Sequence, residues 1–307
     1  MNRVLSDDFS PYLSAERQGE ARHRLICGLY RVLSALTERF PKILFEGCAS
    51  GGNRFDLGML CFFPQIWGSD DTDPIERARI QEGYSFAYPP ECVGAHVSAS
   101  PNHQTMRETP LETRFNVAAF CSLGYETDLR DLSGAQKDAV RAQTELYKKW
   151  RDVFRTGDFY RVGTGNIREW ITVSKDRRRA VGLILQTLAV PNTQTHRFFA
   201  RGLDPDLTYR ITNVPHNVDV KAFGSLINTM APIHVKQDSL LHDIVAKVVK
   251  LNGEREDAKL SGSALMNAGF PLAQAFSGTG FSDEVRVFAD FASRLYFIEA
   301  VDEDGGN

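Results

Sequence analysis

The sequence predicts a chain in two parts, an α/β first half followed by an all-β second half, and three observations carry that reading. Up to about residue 158, helical apolar stretches alternate with short apolar runs that read as strands. Beyond it, alternating and β-branched runs split by turn residues take over. Reactive side chains gather just after the early strand-like runs, where an α/β barrel collects its strand-to-helix loops on one face. The first half is therefore expected to be a parallel sheet with helices outside it, and the second an antiparallel β-sandwich.

The first helix is expected over residues 22–40, with Ile26, Leu29, Tyr30, Leu33, Leu36 and Phe40 at helical spacing and Pro41 as its stop. Ile43–Phe45 reads as a strand leading to Glu46 and Cys48, and Gln65–Gly68 as the next. Asp73-Pro74-Ile75-Glu76 starts a helix that should run to about Glu82, with Asp as N-cap and Pro in the first turn. Val93–Val97 is a third strand. Thr109-Pro110-Leu111-Glu112 repeats the capping arrangement, and residues 121–125 form a fourth strand. A long amphipathic helix follows, capped by Ser133 and Gln136. It carries Val140, Leu146, Tyr147, Trp150, Val153 and Phe154 on one face and stops at Gly157.

In the second half, Trp170–Val173 and Val181–Leu185 are strands split by the basic turn Lys175–Arg179, with further strands near 207–212 and 294–300. Asp204-Pro205-Asp206 and Asn252-Gly253 are turns. The expected division is a barrel-type domain over 1–158, a β-sandwich over 159–302 and a disordered tail over 303–307. Four strand–helix units leave a parallel sheet with two raw edges, since a closed barrel needs eight.

The balance of 42% hydrophobic and 24% charged residues is that of a globular protein. A net charge of −3 leaves no electrostatic footprint for nucleic acid or an anionic membrane. No apolar run approaches the roughly 18 residues of a membrane span, and the N-terminus lacks a signal-peptide core. Cytoplasmic residence is the expectation. The five cysteines (27, 48, 61, 92 and 121) lack C-x-x-C spacing, and the seven histidines lack ligand spacing, so neither a disulfide framework nor a metal or other cofactor is implied. Cys27, Cys61 and Cys121 sit in apolar runs and read as buried small hydrophobes.

The segment Cys48–Asp73 concentrates the chemistry. Cys48 is either a thiol packed under a loop or a group facing a ligand. Ser50-Gly51-Gly52-Asn53-Arg54 either lets backbone N–H groups approach a phosphate or sugar hydroxyl, or is a tight turn; it is neither a Walker A nor a dinucleotide loop. Asp73 is best explained as a helix cap. Asp71 reads as a supporting or turn residue. Asp70, directly after Trp67-Gly68-Ser69, is either a solvated turn acid or a general acid whose pKa an aromatic wall raises.

These residues form longer patterns. Glu46–Leu60, Pro64–Asp73, Gly94–Ser98 with Pro101–Gln104, and Thr109–Arg114 together resemble the family-36 α-galactosidases. Gly202–Pro205, Ser261–Met266 and Ser293–Tyr296 are similar to that family's closing β domain. The resemblance covers essentially the whole chain. It implies the C-terminal half of a (β/α)8 TIM barrel followed by the β-sandwich. It also implies a retaining hydrolase acting on terminal α-linked galactose, as in melibiose or raffinose. By the same resemblance Asp70 is expected to take the place of the family's acid/base, Cys48, Ser50 and Gly51 to hold galactose hydroxyls, and Trp67 to wall the site. Asn53 and Met106 stand where the family usually has glycine.

The family's nucleophile is the Asp of a K-W-D-M-N-R motif, and the match here starts one residue later, at Met1-Asn2-Arg3. The expectation is a fragment lacking the nucleophile and inactive alone; Asp7 and Asp8 are poor substitutes. The alternatives are a galactosyl-transferring relative of the raffinose- or stachyose-forming kind, and a non-catalytic galactoside-binding or barrel-completing chain. Expected partners are an α-galactoside substrate and, in the full-length form, further copies of the protein, with no nucleic acid and no membrane.

Overall fold

A computed structural model describes residues 9–163, 165–190, 196–215, 217–229, 233–249, 251–272 and 288–301. Met1–Arg3, Asp7, Asp8 and the tail Asp302–Asn307 thus lie outside the described residues. The chain splits into two compact units, one within Met1–Glu108 and Ala118–Asp131, the other within Thr109–Val117 and Leu132–Asn307.

The first unit is built on a parallel sheet. Its helices and turns are α1 (Gly19–Arg39), the short turns α2 (Ala49–Gly52) and α3 (Leu57–Leu60), and α4 (Pro74–Tyr84). Strands β1 (Glu46–Gly47), β2 (Gln65–Trp67), β3 (Val93–Ser98) and β4 (Ser122–Glu126) pair in sequence order, all parallel. That is the arrangement of consecutive strands in a (β/α)8 barrel. Strand β1 begins later than the apolar run suggests, and Ile43 and Leu44 are 54% and 87% exposed. Pro64 precedes β2 and has no N–H to donate, so β2 offers β1 a ladder only from Gln65 onward. One apolar cluster packs Leu33 of α1 against Met59 and Ile66, with Tyr30, Phe62 and Phe63 around it. Cys121 is buried as expected. Cys27 and Cys61 are exposed instead, because they lie on the uncovered faces of α1 and of the turn after α3.

The second unit contains α5 (Leu111–Ala118) up to Val117, and α6 (Gly134–Thr156). The α6 cap is as the sequence implies, a reciprocal capping box between Ser133 and Gln136 with Gly157 at the other end. The strands are β5 (Asp158–Val162), β6 (Ile167–Val173), β7 (Arg179–Gln186), β8 (Arg197–Phe198), β9 (Thr208–Asn213), β10 (Asn217–Val218), β11 (Leu251–Asn252), β12 (Asp257–Ser261), β13 (Phe270–Pro271) and β14 (Ser293–Ala300). Six of them form one antiparallel sheet in the order β12-β9-β14-β7-β6-β5. One face buries Ile171, Ile184, Tyr209 and Tyr296 under the two-stranded β8–β13 ladder and the short helix α8 (Gly262–Asn267). The other face meets α6, where the Trp150 and Phe297 ring centroids lie 4.8 Å apart. Between β9 and β12 the chain makes an excursion through the β10–β11 pair and α7 (Leu240–Val248). No helix among the described residues is long and apolar enough to cross a membrane.

Candidate active site

Strands that run parallel deliver all their following loops to one edge. Here β1 leads into Cys48–Gly52, β2 into Gly68–Asp73 and β3 into the loop 99–107. The Cys48 loop is wound left-handed: Ala49, Ser50, Gly51 and Gly52 all have positive φ, at 56°, 56°, 74° and 87°. Ala49 and Ser50 resist that region sterically. Hydrogen bonds hold them there: the Gly52 N–H donates to the Cys48 carbonyl at 2.8 Å, and the Asn53 side-chain amide donates to the Ala49 and Ser50 carbonyls at 3.0 and 2.9 Å. The glycines are required by a close approach. A Cβ on Gly51 would sit 2.7 Å from the Asp70 nitrogen and 3.3 Å from its carboxyl carbon. A Cβ on Gly52 would sit 2.8 Å from the Gly68 carbonyl oxygen. The glycine loop is therefore pressed against the segment that carries Asp70.

The three acids have distinct surroundings. Asp73 is fully buried: it accepts from the Ile75 N–H at 2.8 Å and from the Thr105 hydroxyl at 2.5 Å, and pairs with Arg107 at 2.7 Å. It is the α4 cap and also a clamp on the loop after β3. Asp71 accepts from the Asp73 N–H at 3.0 Å, shaping the turn between them. Asp70 is exposed. Its Oδ1 accepts from the indole Nε1–H of Trp67 at 3.0 Å. The tryptophan, only 8% exposed, thus meets the acid through a hydrogen-bond donor rather than an apolar face. Cys48 is half-buried and Ser50 exposed at the same edge.

Sequence reasoning missed the residues that hold this edge. The Arg77 guanidinium, from α4, lies 4.7 Å over the Trp67 ring. It donates to the Ser69 carbonyl at 3.2 Å and to that of Gly94. Burial pulls its pKa below the ordinary arginine value. The Tyr84 hydroxyl donates to the Gly68 carbonyl at 3.0 Å, and burial pushes that phenol up. His96 of β3 stacks on Trp67 at 4.3 Å. On α4 the signal was one charged residue, Arg77, falling on the buried side of the helix with Pro74 and Ala78. In the loop after β3, Asn102 accepts from the Gln104 and Thr105 N–H groups. Met106 adopts φ 57° there and is 73% exposed. Among the described residues no group of three or more His, Cys, Asp or Glu side chains is placed to hold a metal ion.

A family model described as Melibiase matches residues 1–157, and another described as the glycosyl hydrolase family 36 C-terminal domain matches residues 167–298. The chain belongs to the family 36 α-galactosidases. Alpha-galactosidase 1 of Pediococcus pentosaceus is 46% identical over 213 residues, which is 68% of this chain and 29% of that protein. Alpha-galactosidase AgaA of Geobacillus stearothermophilus is 44% identical over 69% of this chain and, again, 29% of its own length. This family 36 chain therefore spans less than a third of those relatives. Among solved structures, an AgaA variant in complex with stachyose superposes with a TM-score of 0.76 at 35% identity, covering 98% of this chain and 35% of that one. The α-galactosidase from Lactobacillus brevis gives 0.75 at 35% identity, covering 97% and 34%.

Proposed function

We propose that this chain carries the acid/base half of a retaining α-galactosidase site acting on terminal α-linked galactose, as in melibiose and raffinose. Asp70 protonates the glycosidic oxygen as the bond breaks, then takes a proton from the water that releases the galactosyl group. Cys48, Ser50 and Gly51 hold galactose hydroxyls, and Trp67 both walls the site and holds the Asp70 carboxylate. The observation that supports this reading is the close approach of the glycine loop to Asp70, since a sugar held by that loop would lie beside the carboxyl. Its support from relatives is that solved α-galactosidases of the family bind raffinose and stachyose.

Retaining hydrolysis needs a second carboxylate about 5–5.5 Å from the first. The family resemblance assigns it to the Lys-Trp-Asp motif, which these 307 residues do not contain. On this reading the nucleophile is not among these residues, and the 307-residue chain alone has no retaining turnover. The domain boundary near residue 158, homo-oligomeric assembly of the full-length protein and cytoplasmic residence belong to the same proposal and rest on the sequence reading. The test is hydrolysis of an aryl α-galactoside by the chain alone and by the chain expressed with a segment carrying that motif. Activity is expected only in the pair, and Asp70→Asn should lower its kcat by about 10²- to 10⁴-fold. Turnover by the isolated chain, or an undiminished Asp70→Asn, overturns the assignment.

A further inference from the structure

Trp67 can reach Asp70 with its N–H in only one orientation of the indole, because the donor lies on one edge of the ring. The terminal torsion of an aromatic side chain is intrinsically broad, so something has to select that orientation. A cation and a ring flank the indole: the Arg77 guanidinium at 4.7 Å and the His96 imidazole, whose centroid lies 4.3 Å away with its plane tilted by 35°. His96 is itself held, since its Nδ1 lies 3.2 Å from Glu126 Oε2 at the end of β4. The sheet leaves room for both rings by carrying glycine opposite each. A Cβ on Gly124 would sit 2.5 Å from His96 Cδ2, and one on Gly94 would sit 3.1 Å from Trp67 Cε3. Glu126, His96, Trp67 and Asp70 thus form a continuous series from the last parallel strand to the exposed carboxylate.

We infer that His96 is a positioning residue for Asp70: anchored by Glu126, it fixes the indole that orients the carboxylate. The inference rests on the reading of Asp70 as the acid/base and deepens it. The experiment follows the indole N–H signals of the three tryptophans by ¹H–¹⁵N NMR in the 307-residue chain, with Trp67→Phe to assign and Asp70→Asn to mark the lost charged acceptor. His96→Ala is expected to move or broaden the Trp67 signal as Asp70→Asn does, and His96→Phe, which keeps a ring on the indole, to leave it near its native position. Trp150 and Trp170 lie in the other unit and serve as internal references. Should His96→Ala unfold the first unit, the exposed Glu126→Ala gives the same readout and should also broaden the Trp67 signal. A Trp67 signal unmoved by His96→Ala, or by Glu126→Ala, overturns the inference. In the assembled enzyme, His96→Ala should lower kcat by up to about 100-fold with KM little changed. If the NMR series behaves as expected while Asp70→Asn retains full activity, the acid/base role alone fails.

Discussion

The two units of this chain are held together in different ways. In the antiparallel unit, β7 and β14 are central strands paired on both sides. Their side chains are buried on both faces, so apolar area carries the framework. In the parallel unit, β1 and β2 are two and three residues long, and exposed Ile43 and Leu44 lead into β1. What fixes the strand ends there is polar: Arg77 and Tyr84 on the carbonyls after β2, Asp73 on the Thr105 loop, Trp67 on Asp70. The comparison teaches that the candidate site depends on directional bonds and glycine contacts. Such bonds fix a geometry that apolar packing leaves adjustable.

Four substitutions would break or sharpen that contrast. The largest effect is expected from Tyr296→Ala in the antiparallel core, where the ring packs on Phe198 at 5.1 Å and Phe270 at 5.6 Å. Truncating a buried aromatic costs about 3–5 kcal/mol, read as an earlier urea transition followed by Trp150 and Trp170 fluorescence. Next is the buried acid of the same core. Glu169 is 5% exposed and accepts from the Phe199 N–H at 3.0 Å. Burial pushes its carboxyl up to about 7, against the Phe199 bond and the Arg201 charge, which pull it down. A folded pKa above the unfolded one gives stability that is complete below the unfolded value and declines as pH rises to the folded one. Between about pH 4.5 and 7 the chain should lose on the order of 2–3 kcal/mol from this group. Glu169→Gln, which keeps an acceptor for Phe199, should flatten that slope in urea titrations at several pH values.

The parallel unit is expected to respond more locally. Gly51→Ala places a side chain at φ 74° against the Asp70 backbone. A cost of about 1–3 kcal/mol should appear as faster amide exchange over 49–53 and weaker galactose binding, with the antiparallel unit's transition unmoved. A shift of that second transition would sink the expectation of a local effect. Smallest and opposite in sign is Met106→Gly. Relieving φ 57° at an exposed methionine should raise stability by about 0.5–1 kcal/mol, measured as a modest rise in Tm.

The legible parts were those governed by neighbours in sequence. The Asp73 cap followed from Asp, Pro and Glu at fixed spacing, and the α6 capping box from Ser133 and Gln136. The strands β6, β7, β9 and β14 followed from their residue pattern. The β8–β13 ladder was not legible, since two-residue strands carry no periodicity. Nor was Glu169, a carboxylate at a position where the alternation of β6 places core residues. In the site, Asp70, Trp67 and the glycine loop drew attention through motif and resemblance. Their relation to Arg77 and His96 did not, because those contacts span crossovers that no local pattern encodes.

By itself, then, the sequence determined the two-part fold and the helix caps, because capping and alternation act over a few residues, and through motif and resemblance it singled out Cys48–Asp73 as the candidate site. Only the tertiary structure decided that Gly51 touches Asp70, that Trp67 presents its N–H to that acid, and that His96 lies behind the indole. Those facts depend on parallel strands bringing distant loops to one edge, a register that local sequence does not record.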